Sequence, residues 1–273
     1  MSDLTEKKPV RHLLGLSGGK DSSALAIYIR DKYPEIHEKM EYFFSDTGAE
    51  LPETLDFINE LEKYLRKPII RLNPVKDFKF YLKLNGNILP TAKMRWCTNN
   101  LKIKPFEEFV GNDDAITYVG IRADEPQRQG YISTKPNISA RYPFIEDGKD
   151  INDIRNILRD SGVDLPAYYE WRSRSGCYFC FFQRKEEWVG LYERHPDLYE
   201  EAMSYEDFHK AHGRSHTWSD GERLEHLKLP ERIAEIKEAT RLRKIQETSK
   251  LKKNLMERNC ESADELGCLA CHL

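Results

Sequence analysis

Seven consecutive residues carry the clearest chemical signal in the chain: Ser17-Gly18-Gly19-Lys20-Asp21-Ser22-Ser23. They follow a short apolar run, His12 to Leu16, and precede a stretch, Ala24 to Ile29, with the apolar spacing of a helix. A glycine turn between a strand and a helix presents free backbone N–H groups and the positive end of the helix dipole. Lys20 adds a positive charge, and the serine hydroxyls can donate hydrogen bonds. The sequence therefore predicts a phosphate-binding loop.

The spacing of this loop excludes two common nucleotide-binding motifs. A Walker A loop requires a glycine where this chain has Leu14 and a serine or threonine where it has Asp21. The Gly-x-Gly-x-x-Gly pattern of dinucleotide-binding folds is also absent. Lys20 and Asp21 are the candidate catalytic residues. A carboxylate beside bound phosphate and metal stays ionised, so we expect Asp21 to assist Mg²⁺ or orient the loop rather than act as a base.

Two further polar groups follow predicted strands. Asp46, Thr47 and Gly48 come after the apolar run Tyr42-Phe43-Phe44, and Gly120, Arg122 and Arg128 lie at or beyond the end of Ala115 to Ile121. Open α/β sheets bind ligands at the carboxyl ends of their strands, so the first group is expected to line a nucleotide. The two arginines can clamp phosphate or sulfate oxygens, with a surface ion pair as the alternative for each.

The six cysteines form two sets, Cys97, Cys177 and Cys180 within the chain and Cys260, Cys268 and Cys271 near its end. Cysteines in a chain with no export signal are typically reduced thiols, metal ligands or redox groups. The Cys-x-x-Cys pair at 177–180 is a common clip for zinc or an iron–sulfur cluster. Two alternatives to a cluster remain. One is a zinc site formed by Cys177, Cys180, Cys268 and Cys271, and the other is a set of free or redox-active thiols.

A basic patch surrounds the first cysteine. Lys93, Arg95, Lys102 and Lys104 flank Trp96 and Cys97, a combination that is compatible with binding a nucleic-acid backbone. Residues 228–258 are also rich in lysine and arginine, although a solvated helix face is the more common meaning of such a run.

The elements that position these residues alternate between strand and helix. Apolar runs at 12–16, 42–44, 68–72 and 115–121 predict strands, and 143–145 is a candidate for one more. Helical spacing at 51–65 and 150–159 lies between and after them, and from 185 onward the pattern is helical. We therefore predict a doubly wound, mostly parallel α/β domain at 1–183 and a helical C-terminal region with a cysteine-containing tail at 184–273.

Composition excludes several classes. The 273 residues carry a formal charge of -3, with 39% hydrophobic and 33% charged positions, so disorder is a poor interpretation. No apolar run approaches the roughly 18 residues that a membrane span requires, and residues 1–8 are polar. We expect a cytoplasmic protein with no membrane partner.

The glycine loop resembles the PP-loop of the ATP pyrophosphatase superfamily, whose members bind ATP or a relative and act on its α–β phosphate linkage. Within it, residues 44–48 with Pro52-Glu53-Thr54 are similar to the phosphoadenosine phosphosulfate (PAPS) reductase branch. So are residues 120–125 with Arg128, and residues 165–169 leading into Cys177. The resemblance implies an adenine nucleotide alpha hydrolase-like fold with ATP and Mg²⁺ at the residues named above.

The cysteines are similar to those of adenosine phosphosulfate (APS) reductases, in which a cysteine pair and a later Cys-x-x-Cys hold a [4Fe–4S] cluster near the nucleotide. Cys97, Cys177 and Cys180 match three of the four ligands, and Trp96 stands where that family has another cysteine. The resemblance implies a cluster whose fourth position is open or is filled by Cys260, Cys268 or Cys271. DndC-like DNA-phosphorothioation proteins are another cluster-carrying branch.

This resemblance implies an enzyme that cleaves ATP to AMP and pyrophosphate and supports iron–sulfur-dependent sulfur transfer or nucleic-acid modification in a defence or mobile-element setting. DNA or RNA and a sulfur donor such as a cysteine desulfurase are the expected partners. One alternative is a PAPS or APS reductase that releases sulfite, although the tail at 265–272 matches the catalytic Glu-Cys-Gly-x-His context of that class only loosely. The other is a catalytically silent nucleotide-binding module.

Overall fold

The computed structural model describes residues 9–128, 133, 135–207, 217–219 and 221–265, with side chains described up to residue 249. Its sheet has five strands in the order β3-β2-β1-β4-β5, and every neighbouring pair is parallel. The strands are β1 Arg11–Leu16, β2 Met40–Ser45, β3 Ile69–Leu72, β4 Ala115–Tyr118 and β5 Ile138–Arg141. The predicted parallel α/β sheet is confirmed.

Helices cover both faces of the sheet and form the C-terminal region. They are α1 Lys20–Lys32, α2 Pro34–Lys39, α3 Pro52–Leu65, α4 Phe78–Leu84, α5 Trp96–Thr98, α6 Lys104–Val110, α7 Pro143–Glu146, α8 Ile151–Ser161, α9 Lys185–Arg194, α10 Pro196–Asp207, α11 Leu224–Leu227 and α12 Pro230–Glu265. A π-helical turn, Asn99–Ile103, joins α5 to α6, and a 3₁₀ turn spans Ala167–Glu170. The helical pattern predicted from residue 185 onward is confirmed for the described residues.

Side chains on β1 alternate between two apolar layers, as the period of a strand requires. Leu14 and Leu16 pack in one buried cluster with residues of α1, α3 and α8. Leu13 points to the opposite cluster, which includes Phe106 and Val110 of α6. Both faces of the sheet are therefore buried, which explains why β1 is an almost continuous apolar run.

The candidate strand at 143–145 is wrong, because these residues form the short helix α7. Pro143 has no backbone N–H to donate to a sheet ladder, whereas its fixed φ suits the first position of a helix. The edge strand lies just before it, at Ile138–Arg141. The helix predicted at 150–159 is present as α8, where Asp150 forms a capping box and Gly162 ends the helix with a left-handed φ of 72°.

A second apolar core lies between the sheet domain and the C-terminal helices. It contains Phe78, Trp96 and Tyr168 together with Trp188 of α9 and Tyr199 of α10. Its members therefore come from both sides of the domain boundary that we predict between residues 183 and 184. That division into two domains stays a prediction. Across the described residues, no helix combines the length and the apolar character that a membrane span needs.

Candidate functional site

The candidate site lies at the carboxyl ends of β1, β2 and β4. In the strand order, β1 stands between β2 and β4, so the chain leaves the sheet toward opposite sides at this point. Such a switch point is where open α/β sheets bind their ligands. Ser17 to Ser23 follow β1, Asp46 to Gly48 follow β2, and Gly120 and Arg122 follow β4. The fold brings together these three groups of predicted site residues.

The glycines of the loop allow backbone approaches that a side chain would block. Gly18 has a φ of 69°, and a Cβ there would lie 2.5 Å from Thr54 Cγ2. A Cβ on Gly19 would lie 2.6 Å from Ser175 Oγ, and one on Gly120 would lie 2.9 Å from the Asp21 carbonyl oxygen. The loop is therefore enclosed by α3, by the segment before Cys177 and by the end of β4.

The serines of the loop have different surroundings. Ser22 Oγ accepts a hydrogen bond from Ser17 N at 3.1 Å and donates to the Gly19 carbonyl at 3.2 Å, so it shapes the turn. Ser17 Oγ accepts from Ser175 Oγ at 3.2 Å. Ser23, in contrast, is fully buried in the first turn of α1. The structure thus places Ser17 and Ser22 at the loop and Ser23 beneath it.

Two tyrosines of the 3₁₀ turn hold the loop by hydrogen bonds to its backbone. Tyr168 Oη donates to the Gly18 carbonyl at 2.7 Å, and Tyr169 Oη accepts from Lys20 N at 2.9 Å. The Lys20 ammonium lies 5.9 Å from the centre of the Tyr169 ring. These tyrosines were not among the predicted site residues, although their motif was recognised, because nothing local to it indicates a contact about 150 residues away.

Asp21 lies between three cationic side chains. Its carboxylate is 3.0 Å from Arg122 Nη1, 3.6 Å from Lys20 Nζ and 3.7 Å from Arg128 Nη1. Arg122 also pairs with Asp124 and Glu125, at 2.8 and 3.2 Å. Both arginines predicted to clamp phosphate are thus brought to the loop, where carboxylates already hold them.

The loop after β2 connects the sheet to the cysteines. Asp46 Oδ1 accepts from Gly48 N at 3.0 Å, which forms a tight turn. Thr47 Oγ1 donates to Glu50 Oε1 at 2.8 Å and lies 3.3 Å from Cys177 Sγ. The polypeptide that is predicted to line the nucleotide therefore also contacts one of the three thiols.

The three cysteines predicted as metal ligands all act electrostatically on one lysine, Lys102 of the π-helical turn. All three are partly buried, and Cys97 and Cys177 pack against the second apolar core. Burial raises the pKa of the Cys97 thiol and raises that of Cys177 to about 12. Burial acts to lower the pKa of Lys102, but the charges of Cys177, Glu50, Cys180 and Cys97 outweigh it and raise that pKa.

A buried arginine holds the Cys-x-x-Cys loop by hydrogen bonds to its backbone. Arg172 is 2% exposed and donates to the carbonyl oxygens of Gly176 at 3.0 Å and Cys177 at 2.7 Å. Glu187 accepts from Ser173 N and Oγ and from Arg184 N, at 2.6 to 3.0 Å, so it holds the two ends of this loop together. Sequence reasoning did not identify either residue, because their function depends on burial.

The donor set fits an iron–sulfur cluster in its chemistry. Three thiols, apolar surroundings and the cations Lys102 and Arg172 suit an anionic, thiolate-ligated group. Within the described side chains, however, no three His, Cys, Asp or Glu groups lie close enough together to hold a single metal ion. Cys260, Cys268 and Cys271, the candidate fourth ligands, have side chains outside the described part of the chain.

One member of the predicted basic patch does not reach the surface. Trp96 is 9% exposed, its ring stacks on Phe78 with centroids 5.1 Å apart, and its Nε1 donates to the Ile88 carbonyl. Lys93, Arg95 and Lys104 are exposed around it. Trp96 is therefore a core residue that anchors α5, and it does not contribute an aromatic ring to the patch.

A family model described as the phosphoadenosine phosphosulfate reductase domain matches residues 11–141. This match covers just under half of the chain, and it shows a similarity of these residues to that domain family. The matched region contains the glycine loop, Asp46 to Gly48, Cys97 and Arg122, and it ends before the Cys-x-x-Cys pair. The matched region thus covers the five-stranded sheet, whereas two of the three thiols lie beyond it.

The chain is also similar to individual proteins. It is 28% identical over 201 residues to an uncharacterized protein of Methanocaldococcus jannaschii, an alignment that covers 67% of this chain and 44% of that protein. A PAPS reductase from Candida auris in a phosphate complex matches with a TM-score of 0.47 and 14% identity, over 64% of this chain and 84% of that one. The U34-tRNA thiolase NcsA of Methanococcus maripaludis, with its [4Fe–4S] cluster, matches with a TM-score of 0.41 and 14% identity, over 81% and 80%. The chain spans less than half the length of the curated relative.

Proposed function

We propose that this chain is a PP-loop enzyme that binds ATP with Mg²⁺, transfers AMP to an acceptor oxygen on a nucleic acid and releases pyrophosphate. The observation that carries the proposal is the glycine loop itself, which lies at the switch point of the sheet with Lys20 at the start of α1. The PAPS reductase domain match supports the same class of nucleotide chemistry.

In this reaction the acceptor oxygen attacks the α-phosphorus, the α–β bond breaks, and pyrophosphate leaves. The positive end of α1 and the Lys20 ammonium stabilise the charge that develops on the departing phosphates. Asp21 balances three cations at the loop, so it orients them and can take part in holding Mg²⁺. Tyr169 fixes the loop backbone at Lys20.

The thiols are proposed to support delivery of sulfur to the activated acceptor, where sulfur at the sulfide level displaces AMP. When bound, a [4Fe–4S] cluster would supply an iron that can hold this sulfur, with Cys97, Cys177 and Cys180 as its ligands. The contact between Ser175 and Ser17 and the contact between Cys177 and Thr47 support this proposal, because they connect the segment that carries the thiols to the glycine loop and to the loop after β2. A sulfur-donor protein such as a cysteine desulfurase would be the partner.

Formation of AMP and pyrophosphate from ATP and Mg²⁺, with and without added cellular RNA or DNA, tests the first half. We expect Lys20→Ala to abolish turnover while the fold stays intact, and Lys63→Ala, which removes an exposed lysine of α3, to leave turnover unchanged. Full pyrophosphate release by Lys20→Ala would contradict the assignment. Saturable ATP binding without any turnover would instead identify a catalytically silent module.

Anaerobic purification tests the second half. We expect brown protein with iron and acid-labile sulfide, and loss of both in Cys97→Ser, Cys177→Ser and Cys180→Ser. The same measurement on Cys260→Ser, Cys268→Ser and Cys271→Ser identifies or excludes a fourth ligand. Colourless, iron-free protein would remove the cluster from the proposal, and stoichiometric zinc would favour the zinc alternative.

Sulfonucleotide reduction is the second candidate, because the matched domain bears the name of PAPS reductase. It predicts sulfite formation from PAPS or APS in the presence of a thiol reductant. Sulfite without any pyrophosphate release from ATP would favour this function over adenylyl transfer.

A further inference from the structure

An exposed aromatic ring lies close to the thiols. Phe182 follows Cys180 by two residues and is 37% exposed. The guanidinium carbon of Arg95 lies 5.5 Å from the centre of its ring, and that of Arg174 lies 5.3 Å away. Two arginines from distant parts of the chain therefore meet at one exposed ring, in the distance range of cation–π contacts.

The charge of the two arginines at this ring is not compensated by an ion pair in the described structure, although Arg184 and Lys185 nearby in the sequence do pair with carboxylates. Residues 85–106 and 171–185, which carry all three core cysteines, contain four lysines or arginines each and no aspartate or glutamate. In the described structure neither Arg95 nor Arg174 has an ion-pair partner, whereas Arg122 at the loop contacts three carboxylates. A surface of this kind in a chain of net charge -3 favours an anionic ligand.

The ring also lies on the polypeptide that joins the two parts of the site. Arg174 directly precedes Ser175, whose hydroxyl contacts Ser17 of the glycine loop. Arg95 stands two residues before Cys97. A planar group stacked on Phe182 would therefore stay near both the nucleotide loop and the thiols.

The composition of the surface favours a nucleic acid over an apolar partner. Phe182 and Met94 are the only large apolar side chains exposed within residues 85–106 and 171–185. This is too little apolar area for a protein interface, which needs a contiguous patch. A single ring among unpaired arginines is instead the arrangement by which proteins stack the bases of single strands while cations follow the backbone.

We propose that Phe182, with Arg95 and Arg174, is a stacking platform for an unpaired base of single-stranded nucleic acid, and that Lys93 and Lys104 contact its phosphates. This proposal rests on the proposed function in one respect, since it names the acceptor of that reaction as an unpaired nucleotide. The platform holds this nucleotide beside the glycine loop. This function would explain why the ring of Phe182, two positions after Cys180, is exposed.

The platform is tested by measuring the affinity of the full chain for labelled oligothymidylate and oligouridylate of twelve nucleotides by fluorescence anisotropy. We expect Phe182→Ala to weaken binding by about tenfold, because a base stacked on an aromatic ring contributes about 1–3 kcal/mol. Phe182→Trp should restore binding. The salt dependence of Phe182→Ala should match that of wild type, since no phosphate contact is lost.

Phe80→Ala is the matched control, because Phe80 is 44% exposed on α4 and has the Lys76 ammonium 5.5 Å from its ring. Binding by Phe182→Ala within twofold of wild type, or absence of binding by wild type, would overturn the proposal. An equal loss of ATP affinity in Phe182→Ala would also overturn it, since the ring would then serve the nucleotide. Pyrophosphate release, measured separately, shows whether the proposed function fails independently of the platform.

Discussion

The two parts of the site are built in opposite ways. The phosphate end is one contiguous loop, Ser17 to Ser23, whose shape depends on backbone groups and close glycine contacts. The thiol end assembles side chains from residues 47–50, 97–102 and 172–180, which meet only in the folded chain. The first is encoded by local sequence, and the second is encoded by packing.

The two ends also differ in their charge balance. At the phosphate end, the side chains of Arg122 and Arg128 form ion pairs with the carboxylates of Asp21, Asp124 and Glu125. At the thiol end Cys177, whose pKa burial raises, acts electrostatically on both Lys102 and Arg172, and Glu50 is a carboxylate that acts on Lys102. Positive charge beside desolvated thiols favours an anionic occupant at the thiol end.

The largest effect is expected from the backbone of the phosphate end. Gly18→Ala combines a φ of 69° with a clash against Thr54 Cγ2, so we expect the free energy of unfolding to fall by about 2–4 kcal/mol and pyrophosphate release to fall by about 100-fold. Gly86 has a φ of 64° and nothing within 4 Å of an added Cβ. Gly86→Ala should therefore cost only about 1 kcal/mol and leave turnover unchanged. Equal losses in the two variants would show that the loop is not closely packed.

The contrast between the two ends explains what could be predicted from sequence. The glycine loop, the parallel sheet and the polar groups after β2 and β4 were predicted because each depends on neighbours in the chain. The edge strand β5 was missed because Ile138–Arg141 is short and half-exposed, and the apolar run at 143–145 competed with it. Trp96 was assigned to the surface because its basic neighbours, and not its packing on Phe78, are visible in the sequence.

The site residues that sequence reasoning missed act over long separations. Tyr168 and Tyr169 contact the loop from about 150 residues away, and Arg172 holds carbonyl oxygens that carry no side-chain signature. Lys102 appeared as one of four cations of the basic patch, although it is partly buried and the three thiols act on its pKa. A lysine five positions after a candidate metal-binding cysteine was the available signal, and the π-helical turn that directs it inward cannot be read from composition.

A smaller effect should come from removing the cation of the thiol end. Lys102→Met keeps the length of the side chain and removes its charge, so we expect roughly tenfold weaker retention of iron on anaerobic reconstitution at limiting iron. Lys104→Met, two residues along on the exposed side, is the control. ATP binding should be unchanged in both variants. Loss of ATP binding in Lys102→Met together with unchanged iron content would reverse our assignment of the two ends.

Removal of one hydrogen bond at the phosphate end should have a still smaller effect. Tyr169→Phe deletes the acceptor for Lys20 N, and a single hydrogen bond contributes about 1 kcal/mol, so ATP affinity should fall by about fivefold. Tyr64→Phe is matched, because the described structure gives the Tyr64 hydroxyl no hydrogen bond. Calorimetric titration with ATP measures both variants. An effect on iron content equal to that on ATP would show that the two ends are mechanically coupled.

The smallest effect concerns the helices behind the thiol end. Glu222 lies 2.5 Å from Lys185 of α9 and 2.7 Å from Arg232 of α12, and its hydrogen bond to Arg232, with that to Lys185, lowers its pKa to about 2. A carboxylate with a lowered pKa stabilises the fold above its unfolded pKa, near 4.3. This stabilisation is lost as the pH falls through the folded pKa. Glu222→Gln should thus lower the melting temperature by a few degrees at pH 7, and by progressively less between pH 4.3 and 2.

Glu225→Gln is the control, because Glu225 is half-exposed and its ion pair with Arg223 is 4.0 Å long. Its melting temperature should follow wild type at every pH. Since Glu222 joins α9 to α12, ATP affinity at pH 7 should be unchanged in Glu222→Gln. Iron retention should fall slightly, because α9 begins five residues after Cys180. A melting difference that persists at pH 2 would mean that glutamine disturbs packing and that the ion pairs contribute nothing. A loss of ATP affinity would show that the helices support the phosphate end as much as the thiol end.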